Sequence, residues 1–357
     1  MEEDSELKPL DALIVGGGLG GCHLAWMCEH FGWDYRVIHS DLPGSAWKTS
    51  PAVFSPLLGK TMRPFPSFDR YFGAAQKTYR EIEGIISELV FWESPVFHLF
   101  ESDSHRESVL SSYGSDLPPC VEEVLPPGSD PEGLPLPFGA LSVTGGALIT
   151  VPRLVEAFHR WLRSRSRLID ELFEYEYVEC YEDGVVYDDL QPQVILFAEG
   201  GLMRKNPWFG AEILDLHRGE VVDLGTEKAF GDHVIMSDRW LAPVADGRYY
   251  CGGVQYPNAL EGGPTPEARA DLINSAEKVF NATCNPFNQQ AGMIPYSTDR
   301  VPIIGPHPDF TYLQVFNGFG DVGALTMPFW AQRLAKSLTD EKGLPESVLP
   351  SRYDLED

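Results

Sequence analysis

Six residues near the start of the chain, Gly16-Gly17-Gly18-Leu19-Gly20-Gly21, restrict the possible fold more than any other stretch. They follow a short apolar run, Leu10–Val15, and open a segment of helical spacing, Leu19–Phe31; a second apolar run, Tyr35–Ile38, comes next. Strand, glycine turn, helix, strand is the βαβ opening of a doubly wound sheet. Within it the G-x-G-x-x-G pattern gives each glycine a task. Gly16 makes the tight turn, Gly18 lets backbone approach a pyrophosphate, and Gly21 lets the helix pack close to the strand. The helix start offers unpaired N–H groups and a positive dipole end to a diphosphate, so the opening predicts dinucleotide binding. The acid expected at the end of the second strand is replaced by His39-Ser40-Asp41. Asp41, two residues late, and His39 are then the candidates for the ribose hydroxyls.

Charge narrows the partners. Among 357 residues, 27 Lys+Arg face 53 Asp+Glu, a formal charge of −26. Such a field repels phosphate backbones and argues against nucleic acid. The densest basic stretch, Arg160 to Arg167, reads as the solvated face of a helix. With 43% hydrophobic residues the chain can bury a core, yet no run approaches the roughly eighteen apolar residues of a membrane span. The acidic start, MEEDSELKP, lacks an export signal, and six scattered cysteines without a CxxC pair read as buried small hydrophobes. A cytoplasmic location is the expectation. His217, His233 and His307 have no partner at metal spacing, so no metal is predicted. Neither a G-x-S-x-G elbow nor a P-loop occurs.

Further along, Leu42–Pro66 reads as an irregular loop, Phe68–Leu89 as a helix, and Tyr113–Pro137, with seven prolines, as a surface loop. Pro152 suits the first turn of a helix reaching about Arg165. Strand-like segments follow at Leu168–Glu179, Val185–Tyr187 and Val194–Phe197. The last, apolar on both faces and ending in Ala198-Glu-Gly-Gly201, reads as a buried parallel strand. From His217 to Val254 the pattern is β-rich and aromatic and predicts a separate antiparallel sheet, with a helix near Pro266–Phe280. The end repeats the opening: strand Tyr312–Phe316, turn Asn317–Gly323, helix Ala324–Leu338.

Several segments carry a likeness. Pro295-Tyr-Ser-Thr-Asp299-Arg-Val-Pro302-Ile-Ile-Gly305 is similar to an R-P-x-T-x-D-x-x-P-x-x-G pattern, and Asn317-Gly-Phe-Gly-Asp-Val-Gly323 to the glycine turn that follows it. Gly145-Gly146, Val194–Gly200, Arg218-Gly219-Glu220 and the loop Trp47–Lys60 fall in the matching order. From about residue 10 to 340 the chain thus resembles the FAD-dependent oxidoreductases of the D-amino-acid oxidase superfamily, which includes glycine and sarcosine oxidases. The resemblance implies an α/β fold, a Rossmann-like FAD-binding domain with a β-rich antiparallel substrate domain inserted. The FAD-binding domain would comprise 1–80, 140–215 and 290–357, and the substrate or cap domain 81–139 and 216–289. Gly16, Gly18, Leu19 and Gly21 would hold the pyrophosphate of FAD, and His39, Ser40 and Asp41 the ribose. Ser50, Ala52, Ala198 and Gly200 would allow close approach. Asn317, Gly318, Gly320, Asp321, Val322 and Gly323 would turn toward the flavin's pyrimidine edge, where a helix start stabilises charge gained on reduction.

Relatives that oxidise amines clamp a substrate carboxylate with an arginine just before the proline of the R-P segment; here Ile294 stands there. Catalytic residues are therefore unknown. Arg218, Arg239 and Arg300 are cationic alternatives, each with a plain ion pair as the competing explanation. Tyr249, Tyr250 and Tyr296, with Trp240 and Tyr256, are candidates for an aromatic wall, though Tyr249 and Tyr250 must point to opposite faces of a strand. The resemblance implies oxidation of a C–N bond in a small amine or amino-acid-like substrate, with hydride passing to flavin N5. Two other readings stay open: a flavin-binding module with reduced catalysis, and a tRNA-modifying amine oxidase, which the −26 charge disfavours. The expected partner is a small molecule, with neither nucleic acid nor membrane, and the acidic field favours a neutral or cationic amine.

Overall fold

The computed structural model describes residues 7–49, 51–182, 184–210, 213–245, 247–257, 263–339, 343–353 and 355. Ser50 lies outside the described residues. Leu10 and Ala12 to Val15 are all buried, as a central parallel strand covered on both faces requires. The strand Lys8–Val15 runs parallel to Tyr35–Ile38 on one side and to Leu190–Phe197 on the other. Leu168–Ile169 and Leu313–Asn317 extend the parallel order outward, and Ile303–Pro306 closes one edge antiparallel. Side-chain alternation divides the two faces. Ala12, Ile14, Leu196 and Phe316 share an apolar cluster with the helices Leu19–Phe31, Phe68–Ile86, Val151–Ser164 and Gly323–Thr339. Leu13, Val15, Ile195 and Phe197 pack the opposite way, against Phe173 and Phe209.

The last helix carries Pro328 in its interior, which cannot donate to the Ala324 carbonyl one turn back. The Tyr79 hydroxyl donates to that carbonyl instead, from the facing helix.

An eight-stranded second sheet runs in the order Cys284–Ser297, Leu214–Thr226, Arg248–Pro257, Trp240–Ala245, Val234–Met236, Val96–Leu99, Ala140–Val143, Val121–Leu125. The helix Pro266–Phe280 lays Ala268, Leu272, Ala276 and Phe280 on it. A small sheet of Ala52–Phe54, Ala147–Ile149 and Phe91–Glu93 lies between the two larger ones in sequence.

Four features depart from the sequence reading. The second sheet is mixed, because Val234–Met236 pairs in parallel with Val96–Leu99. The proline-rich stretch contains the edge strand Val121–Leu125, whose prolines flank it and leave its own N–H groups intact. The fourteen-residue strand Cys284–Ser297 has no clear alternation and two prolines, so nothing local announces it. Ala140–Val143 and residues 290–297 pair within the second sheet, beyond the boundaries of 140 and 290 expected for it. Among the cysteines, Cys22, Cys28, Cys251 and Cys284 are buried as expected, whereas Cys120 and Cys180 are partly exposed; all six are free thiols. Among the described residues no helix is long and apolar enough to cross a membrane.

Candidate functional site

A cleft of about 1100 Å³ opens where the carboxyl ends of the parallel strands face the mixed sheet. Its floor is the glycine turn. Gly16 has φ +100°, and a Cβ there would lie 2.4 Å from the Ala198 carbonyl oxygen; one on Gly21 would lie 1.8 Å from the Gly16 carbonyl oxygen. These two glycines close strand against helix. Gly18 differs: its nearest neighbour to such a Cβ is Trp47 Cδ1 at 3.5 Å, so the space above it is open. The helix Leu19–Phe31 has no side-chain cap and no acid in its first turn, which leaves its N–H groups free to face the cleft.

Two histidines hold the Gly17 peptide. Gly17 N–H donates to His39 Nδ1 at 3.3 Å, and His159 Nε2 donates to Gly17 O at 2.7 Å. Their rings sit 4.5 Å apart. Burial and the neighbouring His159 push the His39 pKa down to about 4, and burial also lowers that of His159, so both rings are neutral near pH 7. The tautomer of His39 follows: its proton is on Nε2. Sequence reasoning missed His159; its signal would have been a polar residue on the inner face of the helix Val151–Ser164.

The structure brings most predicted cofactor residues to this cleft. Gly16, Gly18, Leu19, His39, Ser40, Ala52, Ala198, Gly200, Asn317, Gly320, Asp321, Val322 and Gly323 all line it. Gly21 and Gly318 lie behind the lining, where Gly21 serves packing and Gly318, at φ +75°, lies against Ser297. Asp41 is corrected: it is exposed, ion-paired with Lys48 at 2.6 Å, and does not line the cleft. One unpredicted residue stands out. Trp47 lines the cleft beside Gly18, and its Nε1 is buried with no hydrogen-bond partner among the described residues.

At the end of the strand Leu190–Phe197, Glu199 accepts hydrogen bonds from Tyr175 Oη at 2.6 Å and Asn206 Nδ2 at 2.8 Å. Asn206 Oδ1 accepts from Trp208 N and Phe209 N, which fixes the amide and explains the Asn-Pro-Trp-Phe segment. Burial drives the Glu199 pKa up to about 7, and the two hydrogen bonds oppose that rise.

The substrate candidates separate. Arg239 lines the cleft but is bound to Asp271 at 2.7 Å. Arg218 is one residue out of phase with the cleft-facing positions, pairs with Glu220 at 3.0 Å and lies over the Tyr256 ring. Tyr249 is a core residue, its hydroxyl accepting from Phe230 N at 2.8 Å, and neither it nor Tyr250 reaches the lining. Tyr296 stands behind the lining and donates to Gln255 Oε1 at 3.0 Å. Arg300 lies over the Tyr296 ring at 4.2 Å. Ile294 does line the cleft, with its side chain filling the space over Gly219. No group of three metal-ligating side chains occurs among the described residues.

A parallel sheet with a glycine fingerprint, a second glycine turn and a mixed sheet over the cleft define a two-layer flavoprotein scaffold. The chain matches the DAO family, described as FAD dependent oxidoreductase, over residues 11–337, and it belongs to that family. FAD is its cofactor, and the open space above Gly18 beside an orphaned indole N–H suits a diphosphate. The fold is similar to that of iminodiacetate oxidase from Chelativorans sp. BNC1, with a TM-score of 0.78 and 17% identity over 95% of this chain and 98% of that one. Glycine oxidase from Bacillus cereus ATCC 14579 gives a TM-score of 0.76 and 18% identity over 94% and 96%. In sequence the chain is 22% identical over 392 residues to the tRNA 5-methylaminomethyl-2-thiouridine biosynthesis bifunctional protein MnmC of Legionella pneumophila (strain Corby). That match takes in 96% of this chain and 57% of the relative's length.

Proposed function

We propose that this oxidoreductase oxidises a C–N bond of a small neutral or cationic amine whose recognition does not rest on a guanidinium-bound carboxylate. One observation carries the reading. Ile294 lines the cleft at the position where the resemblance implies an arginine, and of the three cations of the lining Arg239 and Lys60 are held by Asp271 and Glu101, while the third, Lys205, is an exposed ammonium. FAD, when bound, supplies the acceptor for the hydride that leaves the carbon next to nitrogen. The chain's share is positioning. Gly16 to Gly18, the start of the helix Leu19–Phe31 and Trp47 would hold the diphosphate, and the turn Gly320–Gly323 with its helix start would face the flavin. Met236, Trp240 and Ile294 give the mixed-sheet wall an apolar surface that excludes water from the amine.

Purified protein should be yellow, and an anaerobic panel should show its flavin bleached faster by simple amines than by the corresponding amino acids. A colourless protein that takes up no FAD defeats the reading; bound flavin that no amine, amino acid or hydroxy acid reduces favours a binding module. The likeness to the tRNA-biosynthesis protein supports a second reading, amine oxidation on a tRNA base with a partner supplying the RNA grip. Binding of tRNA at moderate salt would support it.

A further inference from the structure

The mixed-sheet face that looks into the cleft is set by register. His217 pairs with Ile294 and Pro257, and Gly219 pairs with Gly292 and Gln255. Directly paired residues share a face, so Ile294, Tyr296, His217, Gly219 and Gln255 all turn the same way. Gly219 has no side chain, and Ile294 Cδ1 leans into its place, 2.6 Å from where a Cβ would be. Beyond that gap Gln255 lines the cleft.

The orientation of the Gln255 amide is over-determined. Arg300 Nη2 lies 3.3 Å from His217 Nε2, and a guanidinium can only donate, so the His217 proton is on Nδ1. That Nδ1–H points at Gln255 Oε1, 3.4 Å away. Tyr296 Oη donates to the same oxygen at 3.0 Å, and burial and Asp321 push the Tyr296 pKa up, so the phenol keeps its proton. With two donors on Oε1, the amide N–H₂ must face the other way, toward Asp321 Oδ2 at 3.4 Å. Its second N–H has no partner among the described residues. A neutral donor beside a carboxylate acceptor, both lining the cleft, matches a carboxamide: its C=O accepts from Gln255 and its N–H donates to Asp321. A substrate carboxylate placed there would meet Asp321.

We propose that Gln255 is the substrate-orienting residue of this enzyme, and that with Asp321 it selects amines bearing a neutral carbonyl or carboxamide over amines bearing a carboxylate. The inference rests on the amine-oxidase reading above. It is tested on the FAD-loaded protein by titrating benzamide and benzoate and reading the visible spectrum of the bound flavin, which requires no turnover. Benzamide should bind at least about tenfold more tightly than benzoate. Gln255→Glu keeps an acceptor for Tyr296 and His217, so the fold is retained, and it should weaken benzamide at least about fivefold. Ile294→Arg should shift the preference back toward benzoate. Benzoate binding as tightly as benzamide, neither probe perturbing the flavin, or a Gln255→Glu variant with unchanged benzamide affinity overturns the proposal. The parent reading fails separately, by lack of FAD uptake or of bleaching by any amine; bleaching without an amide preference defeats only the role of Gln255.

Discussion

Glu199 offers a direct test of how the cleft handles its own charge. Burial raises its pKa from 4.5 to about 7, so the folded protein binds this proton more tightly than the unfolded chain does. The stability it contributes is complete below pH 4.5 and is lost as pH rises to about 7. A difference of about 2.5 pH units corresponds to about 3 kcal/mol. For a chain of 357 residues that is about 4 °C in Tm. Glu199→Gln mimics the protonated acid, keeps its shape and cannot ionise. Thermal unfolding of the apoproteins, followed by circular dichroism from pH 4.5 to 8, should show the wild type losing about 3 kcal/mol relative to the variant as pH rises. Subtraction is needed because buried histidines act in the opposite sense. His23, pushed down to about 3, and His39 and His98, pushed down to about 4, lose stability as pH falls below 6.5. A wild-type minus variant difference that is flat with pH, or that rises with pH, refutes the raised pKa of Glu199. Its ionisation also places negative charge in the cleft that takes a diphosphate, so FAD affinity should weaken through the same interval in the wild type and stay flat in Glu199→Gln.

Other outcomes follow from the glycine turn and its rim. Gly18→Ala meets only Trp47 at 3.5 Å, so the apoprotein Tm should move by no more than about 1 °C while FAD affinity, read by fluorescence quenching, falls about tenfold. Gly21→Ala forces a Cβ to 1.8 Å from the Gly16 carbonyl oxygen and should cost at least about 3 kcal/mol in urea unfolding of the apoprotein. Trp47→Phe removes the orphaned N–H while keeping a smaller aromatic ring. The apoprotein should be no less stable, whereas the FAD dissociation constant should rise about fivefold by calorimetry. Asp271→Asn breaks a half-exposed pair with Arg239 and should cost under about 1 kcal/mol in unfolding, while loosening a cation toward the cleft that a benzoate titration would detect.

The opening βαβ unit, its boundaries and the two glycine turns were legible because glycine spacing and apolar runs are local signals, and each has a steric cause at Gly16, Gly21 and Gly320. Asp41 was misplaced for a reason outside the motif: Lys48, seven residues on, draws it to solvent. Arg218 and Tyr249 carried the right chemistry at the wrong phase, since a one-residue offset on a strand sends a side chain to the far face. Gln255 was invisible because its meaning depends on His217 and Tyr296, which reach it only through the registers of the strands Leu214–Thr226 and Cys284–Ser297, and on Arg300, which fixes the His217 tautomer. That strand is stabilised by long-range pairing rather than by its own composition, and such pairing leaves no local trace.

The central parallel sheet sets strands from residues 8–15, 190–197 and 313–317 side by side. The first glycine turn is made before the strand Leu313–Asn317 and the second turn, which complete its neighbourhood. Loading with FAD therefore waits for the second turn as well as the first. Until then the strand Leu190–Phe197 lacks its outer parallel partner, so termination after the second sheet would leave an open sheet edge and a half-built cofactor site.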